Sequence, residues 1–175
     1  MDLRIKDLNR FEDYNSKLAS TISFSVDCDS IYDYINFAPK GATLDHNAID
    51  CHIEMLNDML DLFATFNIQA TFFCIANQLL EEKYLTFYRS ILEKGHTIGN
   101  HTYSHHDMAR LTDSQHVEEI ERSHEYIQKS LSVAPRGYRA PAYFIKECGI
   151  RCLTGLGYLY DSSVCNAQLT RIALG

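Results

Sequence analysis

His101 and His105 are the residues of this 175-residue chain best placed to do chemistry. They stand four apart in Gly99-Asn100-His101-Thr102-Tyr103-Ser104-His105, directly after a short apolar run. Side chains at i and i+4 share one face of a helical turn, so the pair is spaced to hold one metal ion from a single turn of backbone. Neutral imidazole is a common metal ligand, and a carboxylate or water usually completes the shell. The plain alternative is two polar loop histidines, so residues elsewhere must decide.

Asp27-Cys28-Asp29 supplies two carboxylates. Residues two apart in extended chain point the same way. One can ligate a metal beside His101 and His105, which gives two imidazoles and a carboxylate with positions open for water and substrate. The other can take the proton from the activated water. Arg139 can pair with that base and fix its orientation. The structural alternatives are a turn role for the two aspartates and an ordinary ion pair for Arg139. His106 breaks the spacing and reads as outer shell or solvent. His46, His52, His96, His116 and His124 read as surface or helix-face residues without a role. The six cysteines form no C-x-x-C and read as reduced, buried fillers; Cys148 and Cys152 lack the second pair a zinc site needs.

Positioning these residues takes alternating elements. Thr21 to Val26 alternates polar and apolar β-formers and predicts a strand. The aromatic stretch 30–45, with Tyr32, Tyr34 and Phe37, reads as a long functional loop. Asp45 or Asn47 can cap a helix whose stripe is Ile49, Ile53, Leu56, Leu60 and Phe63. Ala70 to Ile75 predicts a second strand, 81–94 a second helix, and Thr97-Ile98-Gly99 a third strand. A third helix is expected over 114–131, with Val117, Ile120, Ile127 and Leu131 on one face. A strand end at Gly137–Arg139, a helix over 145–155 and a fifth strand over 156–160 complete the chain. Strands separated by helices imply a parallel sheet or a (β/α) barrel, where chemistry gathers at the carboxyl ends of strands. Asp27 and Asp29, the two histidines, Arg139 and Asp161 each follow a predicted strand.

The length suits one domain with a real core, and 46% hydrophobic residues is ordinary for a globular chain. A net charge of -7 and no basic run argue against nucleic acid. No stretch has the apolar length of a membrane span, and Met1 to Ser20 lacks the order of a signal peptide. The expected location is cytoplasmic. Residues 1–19 read as a lead-in and 20–175 as the domain.

Together these motifs resemble the polysaccharide deacetylases with the NodB homology domain, carbohydrate esterase family 4. Phe24 to Asp29 resembles the first motif in its D-x-D variant; there the first Asp is the base and the second a metal ligand, which implies Asp27 and Asp29 in those roles. His101-Thr102-Tyr103-Ser104-His105 matches the family's H-[ST]-x-x-H, whose histidines bind a divalent ion, typically zinc, with cobalt, nickel or manganese as alternatives. Arg139-Ala140-Pro141 resembles the third motif, whose Arg orients the base, and Tyr158 to Ser163 the fourth, with Asp161. The third motif usually has Tyr three residues after Arg, with its backbone N–H serving the oxyanion. Here that place is Ala142 and Tyr143 follows, so the donor is open between them.

The resemblance implies a distorted (β/α) barrel and removal of N-acetyl groups from an amino sugar in a polysaccharide or its precursor. A fifth motif with a proton-donating His has no match in the 14 residues after Asp161. The expected form is therefore an incomplete barrel, truncated at its C-terminus, that a tail or a second copy of the chain would close. Other readings are amide or ureide hydrolysis on the same fold, a glycan-binding relative without turnover, and a plain structural domain.

Overall fold

The computed structural model of the chain describes residues 22–36 and 48–164. The lead-in 1–19, Phe37, the caps Asp45 and Asn47, His46 and Cys165 lie outside the described residues. Five strands form one sheet in chain order: β1 Phe24–Asp27, β2 Ala70–Cys74, β3 Thr97–Asn100, β4 Gly137–Tyr138 and β5 Tyr160–Asp161. Every neighbouring pair is parallel. Helices α1 Ala48–Thr65, α2 Glu82–Glu93, α3 Asp113–Leu131 and α4 Glu147–Gly155 connect them. Sequential parallel order with helical crossovers is the wiring of a (β/α) barrel, and five strands make a curled half-barrel.

The periodic residues form the core. Leu56, Leu60 and Phe63 of α1 and Tyr84, Phe87, Tyr88 and Ile91 of α2 are buried against Phe72 and Ile98 of the sheet. Each such side chain stabilises the fold by about 1.5–3 kcal/mol relative to exposure. A second cluster of Met108, Ile120, Tyr138, Ala140 and Leu153 joins α3 and α4 to β4. Helix α3 opens on a capping box, Thr112 with Gln115, and closes on left-handed Ser132.

Several expectations are corrected. The first strand starts at Phe24 rather than Thr21, and the fifth spans only Tyr160–Asp161, because pairing with the short β4 ends there. The buried face of α3 carries His116, Glu119 and Ser123 beside Ile120, Ile127 and Leu131. His52, His96 and His116 are buried, each with its Nδ1 in hydrogen-bond contact. His52 Nδ1 meets the Tyr84 hydroxyl, His96 Nδ1 accepts from the Ala70 N–H, and His116 Nδ1 lies against the Met108 carbonyl. Of the described cysteines only Cys28 and Cys74 are buried, and Cys51 is exposed. Burial pushes the Cys28 and Cys74 thiols up, which keeps both protonated.

Candidate metal and catalytic site

The carboxyl ends of β1, β3 and β4 converge on a cavity of about 310 Å³ lined by Asp27, Asp29, Tyr34, His101, His105, Ala140, Ala142 and Tyr143. Strand alternation places the flanking aspartates toward the cavity and sends Cys28 between them into the core, fully buried.

The histidine pair sits in a loop, not on the helical turn its spacing suggests. Thr102 and His105 both take left-handed φ, at 68° and 53°. Such residues cost on the order of 1–2 kcal/mol each and persist when their surroundings over-determine them. Here the surroundings do. Buried Asn100 accepts from the Thr102 N–H at 2.8 Å and from the Ser123 hydroxyl at 2.7 Å, and donates to the Tyr158 hydroxyl at 2.7 Å. Buried Glu119 accepts from the Tyr103 N–H, the Ser104 N–H and the Ser104 hydroxyl at 3.1, 2.8 and 2.7 Å. The result is two imidazoles with centroids 5.1 Å apart.

Both rings are oriented by backbone carbonyls. His101 Nδ1 lies 2.6 Å from the Arg139 carbonyl and His105 Nδ1 lies 3.2 Å from the Asp33 carbonyl. Donating Nδ1–H there makes the Nε2 lone pair the donor of each ring. Both lone pairs face one carboxylate: His101 Nε2 is 3.2 Å from Asp29 Oδ1, and His105 Nε2 is 3.4 Å from Asp29 Oδ2. Asp29 Oδ1 is buried and, among the described residues, accepts no hydrogen bond. Lone pairs aimed at a buried anion need a cation or a proton between them. The three ligand atoms lie within 4.8 Å of one another, so the residues fit a divalent metal.

Without a cation, protons take that place. Burial alone would raise the Asp29 carboxyl, but the two imidazoles outweigh it and hold it well below the usual carboxylate range. Burial would lower His105, yet Asp29 and the Asp33 carbonyl outweigh it and raise it above its ordinary 6.5. A bound metal requires His105 neutral, so metal and proton compete. Zinc affinity is expected to fall as pH drops through the raised His105 pKa, with the fall starting above pH 6.5. Asp29 stays ionised throughout that window. Zinc titrations between pH 5 and 9 check this; an affinity that starts to fall only below 6.5 contradicts it.

Arg139 ties the base side to the metal side. Its Nη1 donates to Asp27 Oδ1 at 2.7 Å, and its Nη2 donates to the hydroxyls of Ser25 and Ser162 at 2.9 and 2.8 Å. Its guanidinium lies over the Phe73 ring, 4.2 Å from the centroid. Gly99 is what lets that ring lie there, since a Cβ at 99 would stand 2.5 Å from Phe73 Cδ1. Gly99→Ala is expected to cost about 1–3 kcal/mol of stability by overpacking, read by urea denaturation.

Asp161 and Tyr143 are placed differently. Asp161 does not line the cavity; its Oδ1 accepts from the Ser163 N–H at 2.9 Å and from the Ser163 hydroxyl. That hydroxyl in turn accepts from the Ala140 N–H at 2.8 Å, so Asp161 braces the strand ends. The Tyr143 side chain does line the cavity, but its N–H is spent on the Ala140 carbonyl at 3.0 Å. Ala142, with φ 52°, also lines the cavity, and its N–H donates to no atom of the described residues. Of these two backbone N–H groups, the one engaged within the described residues is that of Tyr143.

The model of the polysaccharide deacetylase family matches residues 43–159, two thirds of the chain. The chain belongs to the polysaccharide deacetylases. A peptidoglycan-N-acetylglucosamine deacetylase of Bacillus cereus is 29% identical over 107 residues, 61% of this chain and 38% of that enzyme. The chain thus spans well under half the length of such curated relatives. The crystal structure of a candidate polysaccharide deacetylase from Mycobacterium smegmatis superposes with a TM-score of 0.67 at 22% identity, over 83% of this chain and 51% of that one. A family 4 carbohydrate esterase from Streptomyces lividans, solved with acetate, gives 0.58 at 17% identity, over 79% and 60%. These two likenesses concern the deacetylase fold. The family match begins after β1, the strand that ends on Asp27 and pairs with β2.

Asp33, Glu119 and Asn100 were given no role by the sequence, and Tyr34 only a place in a functional loop. For Glu119 a signal existed: it is a carboxylate on the apolar face of a predicted helix, where an unpaired charge would be costly.

Proposed function

We propose that this deacetylase-family chain is a metal-dependent hydrolase that removes N-acetyl groups from an amino sugar of a glycan. One observation carries the reading. A two-histidine, one-carboxylate group shares a cavity with a second carboxylate, Asp27, that is fixed by Arg139. The relatives' names point to peptidoglycan and chitin as the glycan class.

Asp29, His101 and His105 would hold the cation, zinc by preference, with cobalt, nickel or manganese compatible with the same donors. A divalent cation there acidifies water and polarises an acyl oxygen. Asp27 accepts the proton of the attacking water while Arg139 holds its other side. The Ala142 N–H donates to the oxyanion of the tetrahedral intermediate. Asp27, once protonated, is a group of this cavity that can return a proton to the leaving amine. Acetate and a free amino sugar result.

The test is a product assay on N-acetylglucosamine oligomers, peptidoglycan fragments and a set of ureides, with zinc, cobalt, nickel or manganese added. Equimolar acetate and free amine from a glycan supports the proposal. Hydrolysis of ureides alone, or glycan binding without product, overturns it.

A further inference from the structure

We infer that Tyr34 is a positioning residue that assigns Asp29 Oδ1 as the metal donor by occupying Oδ2. The inference rests on reading Asp29, His101 and His105 as ligands. The Tyr34 hydroxyl donates to Asp29 Oδ2 at 2.8 Å, whereas Oδ1 accepts no hydrogen bond from the described residues and faces His101 Nε2 at 3.2 Å. A carboxylate with one oxygen engaged by a hydroxyl presents the other as a single, directed donor. The Tyr34 ring also meets the His105 ring edge-on, with centroids 5.3 Å apart.

The residue before it completes the arrangement. The Asp33 carbonyl lies 3.2 Å from His105 Nδ1, so one short 3-10 turn, Asp33–Asn36, touches two of the three ligands. That turn is anchored from below. The buried Asp33 carboxylate accepts from the Ser30 N–H, the Ser30 hydroxyl and Gln78 Nε2 at 2.7, 2.6 and 2.8 Å. Gln78 also donates to the Cys28 carbonyl at 2.9 Å and accepts from the Tyr88 hydroxyl at 2.8 Å. Every link in this chain is a buried, short hydrogen bond that fixes the Tyr34 backbone relative to β1. Tyr34 itself is about half exposed at 51% and lines the cavity, so its hydroxyl contributes little to the core.

The experiment is zinc titration, by competition with a chromophoric chelator, of the wild-type protein, Tyr34→Phe and Tyr34→Leu. Melting temperatures without metal check the fold of each. Absorption spectra with cobalt(II) in place of zinc report the ligand field. Loss of an outer-shell partner typically weakens metal affinity about 10–100-fold. Tyr34→Phe is expected to show that loss and a changed cobalt spectrum at an unchanged metal-free melting temperature. Tyr34→Leu should lose no less. Wild-type affinity retained in Tyr34→Phe overturns the inference, as does a loss confined to Tyr34→Leu, which would assign the effect to ring packing. A wild-type protein that binds no zinc overturns the underlying ligand reading instead.

Discussion

Asp27→Asn is expected to lower the rate constant for acetate release by about 10²–10⁴-fold, the usual contribution of a positioned general base. Zinc affinity should stay within a few-fold of wild type. The two expectations separate because Asp27 and Asp29 have different partners. Asp27 Oδ1 is held by Arg139 Nη1 at 2.7 Å, and Asp27 is not part of the group of three ligand atoms. An asparagine keeps nearly the same shape and can still accept from Arg139, but it cannot take a proton from water at neutral pH. Turnover and zinc titration on the same preparation check the result. Equal loss of metal and activity would make Asp27 a ligand, and unchanged turnover would remove it from the chemistry.

His101→Ala should lose zinc affinity by more than the roughly 10–100-fold that outer-shell changes produce. Two of the three ligand atoms would remain, and the Arg139 carbonyl would lose its partner at 2.6 Å. The readout is both affinity and stability. A ligand at 100 times its Kd stabilises the folded state by about 2.7 kcal/mol, a gain the variant should not show. Calorimetric melting with and without zinc measures it. A variant whose melting temperature rises with zinc as far as wild type would show that the ion binds elsewhere.

The apolar spacing of α1 and α2 was legible because long helices repeat their burial every turn, and Leu56, Leu60 and Phe63 of α1 and Tyr84, Phe87 and Ile91 of α2 are all buried. The strand-end rule placed Asp27, Asp29, His101, His105 and Arg139 near one another, and in the structure all but Arg139 line one cavity while Arg139 donates to Asp27. What failed to show were features set by tertiary hydrogen bonds. The left-handed loop at Thr102 and His105 was not told from a helical turn, since Glu119 holds it from a distant helix while Asn100 accepts locally from the Thr102 N–H. Asp161 follows a strand as the others do, yet its carboxylate turns to Ser163. The histidines His52, His96 and His116 read as surface or helix-face residues, and their burial did not show because their partners are a distant hydroxyl or a backbone group. Ala142 was one of two equal choices until the Tyr143 N–H was seen to be engaged.

The central claim is that one cation, held by Asp29, His101 and His105, makes this cavity an amide hydrolase. Its most direct test is to strip the protein of metal and titrate zinc back while following acetate release from an N-acetylglucosamine oligomer. The account predicts no release from the stripped protein and a rate that climbs linearly to one zinc per chain, then levels. A rate independent of added metal, or no release at full zinc occupancy, would contradict it.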